Sequence, residues 1–269
     1  MEKRYFYLRV DLESDKGIKK GLPQILDLLK KHNVKVSFYL TMGGESGLFD
    51  LIRYRKKLKT AGERKIQVFG FFEKLRIAFF PRDFVKENMR LLKRILAEGH
   101  ELGIHGWKHR AWTRGIDEID IEKHVTLSVE KFKKMFGVYP SSFSAPGFNT
   151  NKRIIKIVKD NNIKVISDLP GKGPFLVDGL VNVPITIKGN NNTPIIEYLV
   201  SKGKRDDEII EAILKEIDKL KYAGFYIHGI YEGIEKVDML DRLIKRLKET
   251  GREVITIKQV AKLTEGRDK

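Results

Sequence analysis

The fold is decided by the stretch YFYLRV, residues 5–10, which runs directly into the acidic segment DLE, residues 11–13. Aromatic and branched residues of this kind predict a buried β-strand. Apolar residues then recur at helical spacing from Gly17 to His32, and VKVSFYL, residues 34–40, returns to a strand. This order predicts a β-α-β unit with an acidic pair at the carboxyl end of its first strand.

The same alternation continues to the end of the chain. Helices are predicted over residues 84–97, 119–136, 152–161, 206–222 and 237–250, and strands over 101–105, 142–144, 163–167, 225–228 and 254–256, before a short last helix. Alternating strands and helices favour a parallel sheet with crossover helices, either doubly wound or closed. We expect the closed form, an α/β barrel that forms a single domain over residues 1–269, with an insertion at about residues 41–81.

The composition limits the function and the location. The chain has no cysteine, which excludes disulfides, thiol catalysis and cysteine-ligated zinc, so any metal must bind nitrogen and oxygen. No apolar run of about 18 residues occurs and the amino terminus lacks a signal core, so we expect a cytoplasmic protein. The net charge of +17, from 53 Lys and Arg against 36 Asp and Glu, favours phosphate-bearing partners: nucleic acid, anionic lipid or a phosphorylated substrate.

Three predicted strands end in residues with catalytic chemistry, namely Asp11, His105 and His228. The carboxyl ends of parallel strands meet at one rim, so we expect these side chains to lie close together. His105 and His109 are one helical turn apart, which allows both imidazoles to face one ion. Asp11 and Glu13 point to the same side of an extended strand, so one carboxylate can bind the metal while the other acts as general base. The alternatives are a solvated histidine pair and carboxylates that cap the next helix.

Five segments together resemble the successive motifs of the polysaccharide deacetylase (NodB-homology) superfamily, in order and strand placement over nearly the whole chain. They are RVDLE at residues 9–13, HGWKH at 105–109, SAPGF at 144–148, ISD at 166–168 and YIH at 226–228. The resemblance implies a distorted (β/α) barrel, usually with seven strands. It also implies hydrolysis of an N-acyl or O-acyl group with the help of one divalent metal ion, with zinc first among the transition metals.

The resemblance further implies a role for each matching residue. Asp11 matches the catalytic base, and His228 matches the general acid that protonates the departing amine. The implied metal ligands are Glu13, His105 and His109. Contacts with the sugar are expected from Trp107 by stacking and, on family grounds, from Asp168 and Glu232.

Two departures from the family pattern affect these roles. Glu13 stands where the family usually has Asp, which leaves open a reversal of base and ligand within the acidic pair. Ser144 stands where the third motif usually has an arginine that orients the base. The same loss occurs in one branch, the enzymes that deformylate formamido-arabinose attached to undecaprenyl phosphate. Further similarities to that branch are GLP at residues 21–23, SF at 37–38, MG at 42–43, GHELG at 99–103 and EG at 232–233.

The insertion bears on the choice of substrate and partner. A basic cluster, RYRKK at residues 53–57, precedes an aromatic stretch at residues 68–80, which predicts either a helix lying in a membrane interface or a lid over the barrel. We therefore expect a metal-dependent hydrolase that removes formyl or acetyl from an amino sugar. A lipid-phosphate-linked sugar would place it at the inner face of the membrane, and nucleic acid is not an expected partner. The alternative is a non-catalytic basic protein that binds nucleic acid or anionic membrane.

Overall fold

The computed structural model describes residues 2–55 and 68–265. The strands are β1 (Tyr5–Leu12), β2 (Ser37–Leu40), β3 (Glu101–Ile104), β4 (Ser142–Phe143), β5 (Val165–Ile166), β6 (Phe175–Val177), β7 (Leu180–Asn182), β8 (Tyr222–His228) and β9 (Glu253–Val254). The helices are α1 (Leu22–His32), α2 (Leu48–Arg53), α3 (Phe71–Phe79), α4 (Phe84–Glu87), α5 (Met89–Ala97), α6 (His109–Arg114), α7 (Ile121–Phe136), α8 (Lys152–Asp160), α9 (Ile195–Ser201), α10 (Asp206–Asp218), α11 (Glu232–Glu235), α12 (Val237–Glu249) and α13 (Ile257–Glu265).

The strands form one curled sheet in the order β6-β7-β5-β4-β3-β2-β1-β8, with β9 paired to the start of β1. Within the residues that the structure describes, the parallel strands that succeed one another around the barrel are the seven strands β1, β2, β3, β4, β5, β7 and β8. Strand β6 is antiparallel to β7 and forms a hairpin that the sequence pattern did not indicate. The expected distorted (β/α) barrel of the seven-stranded type is therefore confirmed.

The barrel closes through an irregular seam between β8 and the chain that follows β7. Gly224 O in β8 accepts hydrogen bonds from the backbone nitrogens of Thr186 and Ile187, at 3.0 and 2.9 Å. Tyr7 of β1 reaches the same seam, where its hydroxyl donates to Pro184 O at 2.5 Å. Because the seam residues after β7 do not form a regular strand, the barrel is distorted at this point.

Strand β1 divides the interior into two parts. All eight of its residues are buried. The even-numbered side chains from residue 6 to residue 12 belong to the core between the sheet and its helices. Tyr5 and Tyr7 belong to a second cluster on the other side of the strand, inside the barrel. Strand alternation sends Arg9 and Asp11 to that same inner side, which places charged groups toward the carboxyl rim.

Some predicted elements differ from the structure. The helix expected from Phe84 is interrupted between α4 and α5, where the Asn88 side chain donates to Asp15 Oδ1 at 2.9 Å. The helix expected to reach Tyr222 ends with α10, because Tyr222 begins β8 and stacks on Tyr5 with ring centroids 5.3 Å apart. Before α10 the chain forms α9, which the sequence pattern did not indicate.

The insertion contains two helices, α2 and α3, that ion pairs attach to the barrel. Glu73 Oε2 of α3 lies 3.6 Å from Lys16 Nζ, and Asp50 Oδ2 of α2 lies 3.3 Å from Lys108 Nζ. Residues 56 and 57 of the predicted basic cluster lie outside the described residues. No helix in the described ranges combines the length and the apolar composition that crossing a membrane requires.

Substitution of Gly224 by alanine should open the seam. The added methyl group would lie 2.0 Å from the Tyr7 ring, which is buried and held through its hydroxyl by Pro184 O. Overpacking of this kind costs about 1–3 kcal/mol, and we expect the free energy of unfolding in urea to fall by that amount or more. Gly70→Ala is the matched control, because nothing lies within 4 Å of its added methyl group. An equal effect of the two substitutions would contradict the role of the seam.

Candidate metal centre

The carboxyl ends of β1, β3 and β8 bring five candidate residues to one rim of the barrel. Asp11 of β1 is paired in register with His228 of β8. Glu13 follows β1, His105 follows β3, and His109 begins α6. The structure thus brings together the two carboxylates and three histidines that the sequence pattern singled out, as a parallel topology predicts.

Glu13, His105 and His109 form a compact group that we call the triad. Glu13 Oε1 lies 3.0 Å from His105 Nε2 and 2.9 Å from His109 Nε2. The ligand atoms of the three residues lie within 4.8 Å of one another. The Glu13 and His109 side chains are 20% and 33% exposed, so the triad opens to a cavity. Burial raises the pKa of Glu13, but His109 and His228 outweigh it and hold the pKa well below its usual value.

The hydrogen bonds of His105 favour a cation in the triad. Its Nδ1 lies 3.0 Å from the Ser144 carbonyl oxygen, which can only accept, so Nδ1 carries a proton. In the neutral ring the Nε2 lone pair then faces the Glu13 carboxylate at 3.0 Å, and two acceptors repel each other unless a cation lies between them. A carbonyl that fixes the tautomer is typical of metal-binding histidines. Two imidazole nitrogens and one carboxylate oxygen are a ligand set of catalytic zinc, so these residues fit the expected metal.

Asp11 lies beside the triad and is held by Arg9. Its Oδ2 is 3.8 Å from His105 Nε2. Its two oxygens accept hydrogen bonds from the Arg9 guanidinium at 2.8 and 2.7 Å, and both residues are buried. Burial alone would raise the pKa of Asp11, but the Arg9 guanidinium holds it below its usual value. Asp11 is therefore a carboxylate at neutral pH, as a general base must be.

His228 faces the triad from β8. Its Nε2 lies 3.8 Å from Glu13 Oε1, and its Nδ1 lies 2.5 Å from Glu197 Oε1 on α9. Burial would lower the pKa of His228, but Glu197 and Glu13 raise it well above its usual value. The charged ring holds one proton toward Glu197 and the other toward the triad. No sequence pattern indicated Glu197, because a single carboxylate in a short helix reaches His228 only through the tertiary fold.

Two carboxyl groups that were expected to contact the sugar lie beneath the cavities instead. Asp168 is buried, and its Oδ1 accepts from Ala145 N at 2.8 Å. Glu232 is fully buried, and its Oε2 accepts from the backbone nitrogen of His228 at 2.9 Å. Burial raises the pKa of Asp168 to about 7, and burial together with Glu197 raises that of Glu232 to about 8. These groups support the backbone under the triad and do not line the cavities beside it.

Trp107, the third expected sugar contact, lies away from the triad. Its ring centroid is 5.4 Å from the Lys131 ammonium group, and the ring lines a separate depression with Asp83 and Lys86. The backbone carbonyl of Trp107 accepts from Gly43 N at 2.6 Å, and the partly buried side chain packs against the core. The structure does not bring the predicted stacking surface to the cavity.

Two cavities meet at the triad and share Glu13, His109 and His228 as lining residues. The first, of about 520 Å³, continues between polar residues such as Arg114, Asn191 and Asn192. The second, of about 550 Å³, continues between apolar side chains of the insertion: Leu51, Val68, Phe69 and Ile77. A polar group and an apolar group can therefore be bound on either side of the same triad.

The comparison with known families agrees with this geometry. The family profile described as Polysaccharide deacetylase matches residues 3–166, a range that contains Asp11 and the whole triad. A second profile, Glycosyl hydrolase family 57, matches residues 109–259, a range that contains His228.

Relatives and solved structures resemble the chain over most of its length. The chain is 22% identical over 258 residues to the probable 4-deoxy-4-formamido-L-arabinose-phosphoundecaprenol deformylase ArnD of Shewanella sediminis, which covers 92% of this chain and 83% of that protein. The protein of the same name from Wigglesworthia glossinidia brevipalpis is 25% identical over 235 residues, or 81% of this chain and 79% of that protein. The Bc1960 peptidoglycan N-acetylglucosamine deacetylase shares the fold, with a TM-score of 0.62 at 18% identity over 97% of this chain and 89% of its own.

Asp168→Asn should change how stability depends on pH. The Asp168 pKa is about 7 in the folded protein, against about 4 in the unfolded chain, so the folded state keeps this proton to higher pH. The stability linked to the proton is fully present below about pH 4 and is lost as the pH rises through about 7. We expect the variant to gain stability relative to the wild type between about pH 5 and pH 8 in urea unfolding. A difference that stays constant over this range, as expected for the exposed control Asp160→Asn, would contradict the buried neutral carboxyl group.

Proposed function

The chain belongs to the polysaccharide deacetylase family, and we propose that it is a zinc-dependent hydrolase that removes the N-acyl group of an amino sugar. The observation that carries the proposal is the Glu13 carboxylate between two imidazole nitrogens, with Asp11 and His228 on either side. The alternative, a non-catalytic basic protein, gives no reason for acceptor groups that face one another inside a cavity.

The chain's own residues then have distinct roles in the reaction. When bound, the metal would polarise the acyl carbonyl and lower the pKa of a water molecule. Asp11 accepts the proton of the attacking water, and His228 donates its Nε2 proton to the nitrogen as the C–N bond breaks. Glu197 holds the remaining proton on Nδ1, which keeps the charged ring oriented. The products are a carboxylic acid and the free amine.

The distances favour Glu13 as the ligand and Asp11 as the base. Glu13 Oε1 contacts both triad histidines, whereas both oxygens of Asp11 are bound to Arg9. Glu13 lies beyond the end of β1, and its carboxylate lies between the two histidines. This arrangement supports the order of roles that the family resemblance implies over its reversal.

We further propose that the amino sugar is lipid-linked and that the acyl group is formyl. The relatives from Shewanella sediminis and Wigglesworthia glossinidia brevipalpis are named as probable deformylases of a formamido-arabinose joined to phosphoundecaprenol. The two cavities support this choice, because the polar one suits a sugar and the apolar one suits the start of a lipid chain.

The outer surface of the insertion supports contact with a membrane. In the described part of the insertion, the large apolar side chains that are at least 60% exposed are Phe49, Ile52, Phe71, Phe72, Phe79 and Phe80. Exposed cations, Arg53 and Lys74, lie on the same two helices. Aromatic and basic residues together favour the interface of an anionic bilayer. The inner side of the insertion lines the apolar cavity. A lipid-linked sugar could therefore pass from the membrane to the triad along the inner side of the insertion.

Acid release from N-acyl amino sugars tests the proposed activity. We expect the zinc-loaded protein to release formate from N-formyl sugars faster than acetate from N-acetyl sugars, and chelation followed by zinc addition to abolish and restore the activity. Asp11→Asn should lower kcat by about 10²–10⁴-fold, the usual contribution of a general base. Asp160→Asn, on the exposed end of α8, is the matched control. Release of no acid from any substrate, or activity that chelation leaves unchanged, would refute the proposal.

Binding to lipid vesicles tests the proposed membrane contact. We expect cosedimentation with anionic vesicles, and little with neutral ones, because the exposed cations add to the apolar attraction. Changing Phe72 and Phe80 together to serine should weaken binding by about tenfold or more, since each buried phenylalanine contributes about 1.5–3 kcal/mol. Val138→Ser with Leu176→Ser is the control, because both residues are exposed apolar positions outside the insertion. Equal loss in the two double variants would contradict a role for the insertion.

A further inference from the structure

An arginine lies buried inside the barrel, directly below the triad. Arg9 is 1% exposed and precedes Asp11 by two residues on β1, so both side chains point to the inner side of the strand. Buried arginines are rare unless their donors are paired. The charge of Arg9 helps to keep Asp11 ionised, but charge alone does not explain why this position carries a planar guanidinium group.

Every guanidinium nitrogen of Arg9 donates a hydrogen bond. Nε and Nη2 donate to Oδ1 and Oδ2 of Asp11, at 2.8 and 2.7 Å, in a two-pronged arrangement. Nη1 donates to the Ser167 carbonyl oxygen at 2.9 Å. The rings of Phe148, Tyr226 and Tyr39 lie 4.8, 5.2 and 5.4 Å from the guanidinium carbon and enclose it. The guanidinium plane therefore has no freedom to rotate.

The two-pronged contact fixes the plane of the Asp11 carboxylate as well. With a single hydrogen bond the carboxylate could rotate about its Cβ–Cγ bond, but two parallel hydrogen bonds to one rigid group prevent this rotation. In the fixed position Oδ2 lies 3.8 Å from His105 Nε2, beside the triad. Arginine keeps its charge at every pH at which the protein folds, so the constraint is permanent.

We infer that Arg9 is a positioning residue, which holds the Asp11 carboxylate in the plane where Oδ2 can take the proton of the attacking water. This inference rests on the proposed function. A purely structural Arg9 would serve only to neutralise the buried Asp11, and a lysine would do that nearly as well. A positioning Arg9 needs the planar two-pronged group, which lysine lacks.

Arg9→Lys separates the two roles. We expect kcat to fall by about 10²-fold, the effect of a small misplacement of a reacting group, with KM changed by less than about twofold. Bound zinc and the midpoint of urea unfolding should stay near their wild-type values. Arg153→Lys, an exposed position on α8, is the matched control and should leave kcat unchanged.

Chemical rescue gives a second readout if the charge of lysine alone disturbs the core. Arg9→Gly leaves a space of guanidinium size next to the polar cavity, which Arg9 itself lines. We expect guanidinium chloride at non-denaturing concentration to raise the kcat of this variant by about tenfold or more, while equal concentrations of urea or sodium chloride do not.

An active wild type with an equally active Arg9→Lys variant would overturn this inference alone. So would a loss of kcat that follows loss of zinc or of folding and that guanidinium does not restore. A wild type that releases no acid from any N-acyl sugar would overturn the proposed function, and the inference with it.

Discussion

Strand β1 sends alternate side chains to the core and to the barrel interior, and this alternation constrains both the core and the site. The strand is buried on both faces and pairs with β2, β8 and β9, so its register is fixed from several directions. Slippage by one residue would turn Asp11 toward the helices and a leucine toward the cavity. The side chains on the inner side are Tyr5 and Tyr7, which pack the barrel interior, followed by Arg9 and Asp11. Glu13 continues this order just beyond the end of the strand.

The distribution of charged groups around the triad also depends on this alternation of side chains along β1. The attraction within a buried ion pair such as Arg9 and Asp11 is offset by desolvation, so the pair adds little net stability. Its presence among packed aromatic rings is better explained by what it does for the carboxylate. Asp168 and Glu232 lie deeper, and burial raises the pKa of each, so these two groups take up protons at a higher pH than exposed carboxylates do.

The parts of the site that were predictable are those with a local signal. Strand and helix periodicity indicated a parallel sheet with crossover helices, and the family resemblance implied the barrel. Strand ends and motif spacing indicated Asp11, Glu13, His105, His109 and His228. Arg9 also had a signal, a lone cation within an apolar strand, which requires a buried partner. Glu197 had none, because α9 is short and its contact with His228 is purely tertiary. Trp107, Asp168 and Glu232 were expected at the sugar, but neighbourhood in sequence does not determine which way a side chain points or how deeply it is buried.

The zinc site is tested most directly by a crystal structure of the zinc-loaded protein with anomalous diffraction measured above the zinc edge. We expect one strong peak about 2.0–2.2 Å from a Glu13 carboxylate oxygen and from the Nε2 atoms of His105 and His109. A peak held instead by Glu197 and His228, or no peak in a crystal saturated with zinc, would contradict the triad as the metal site.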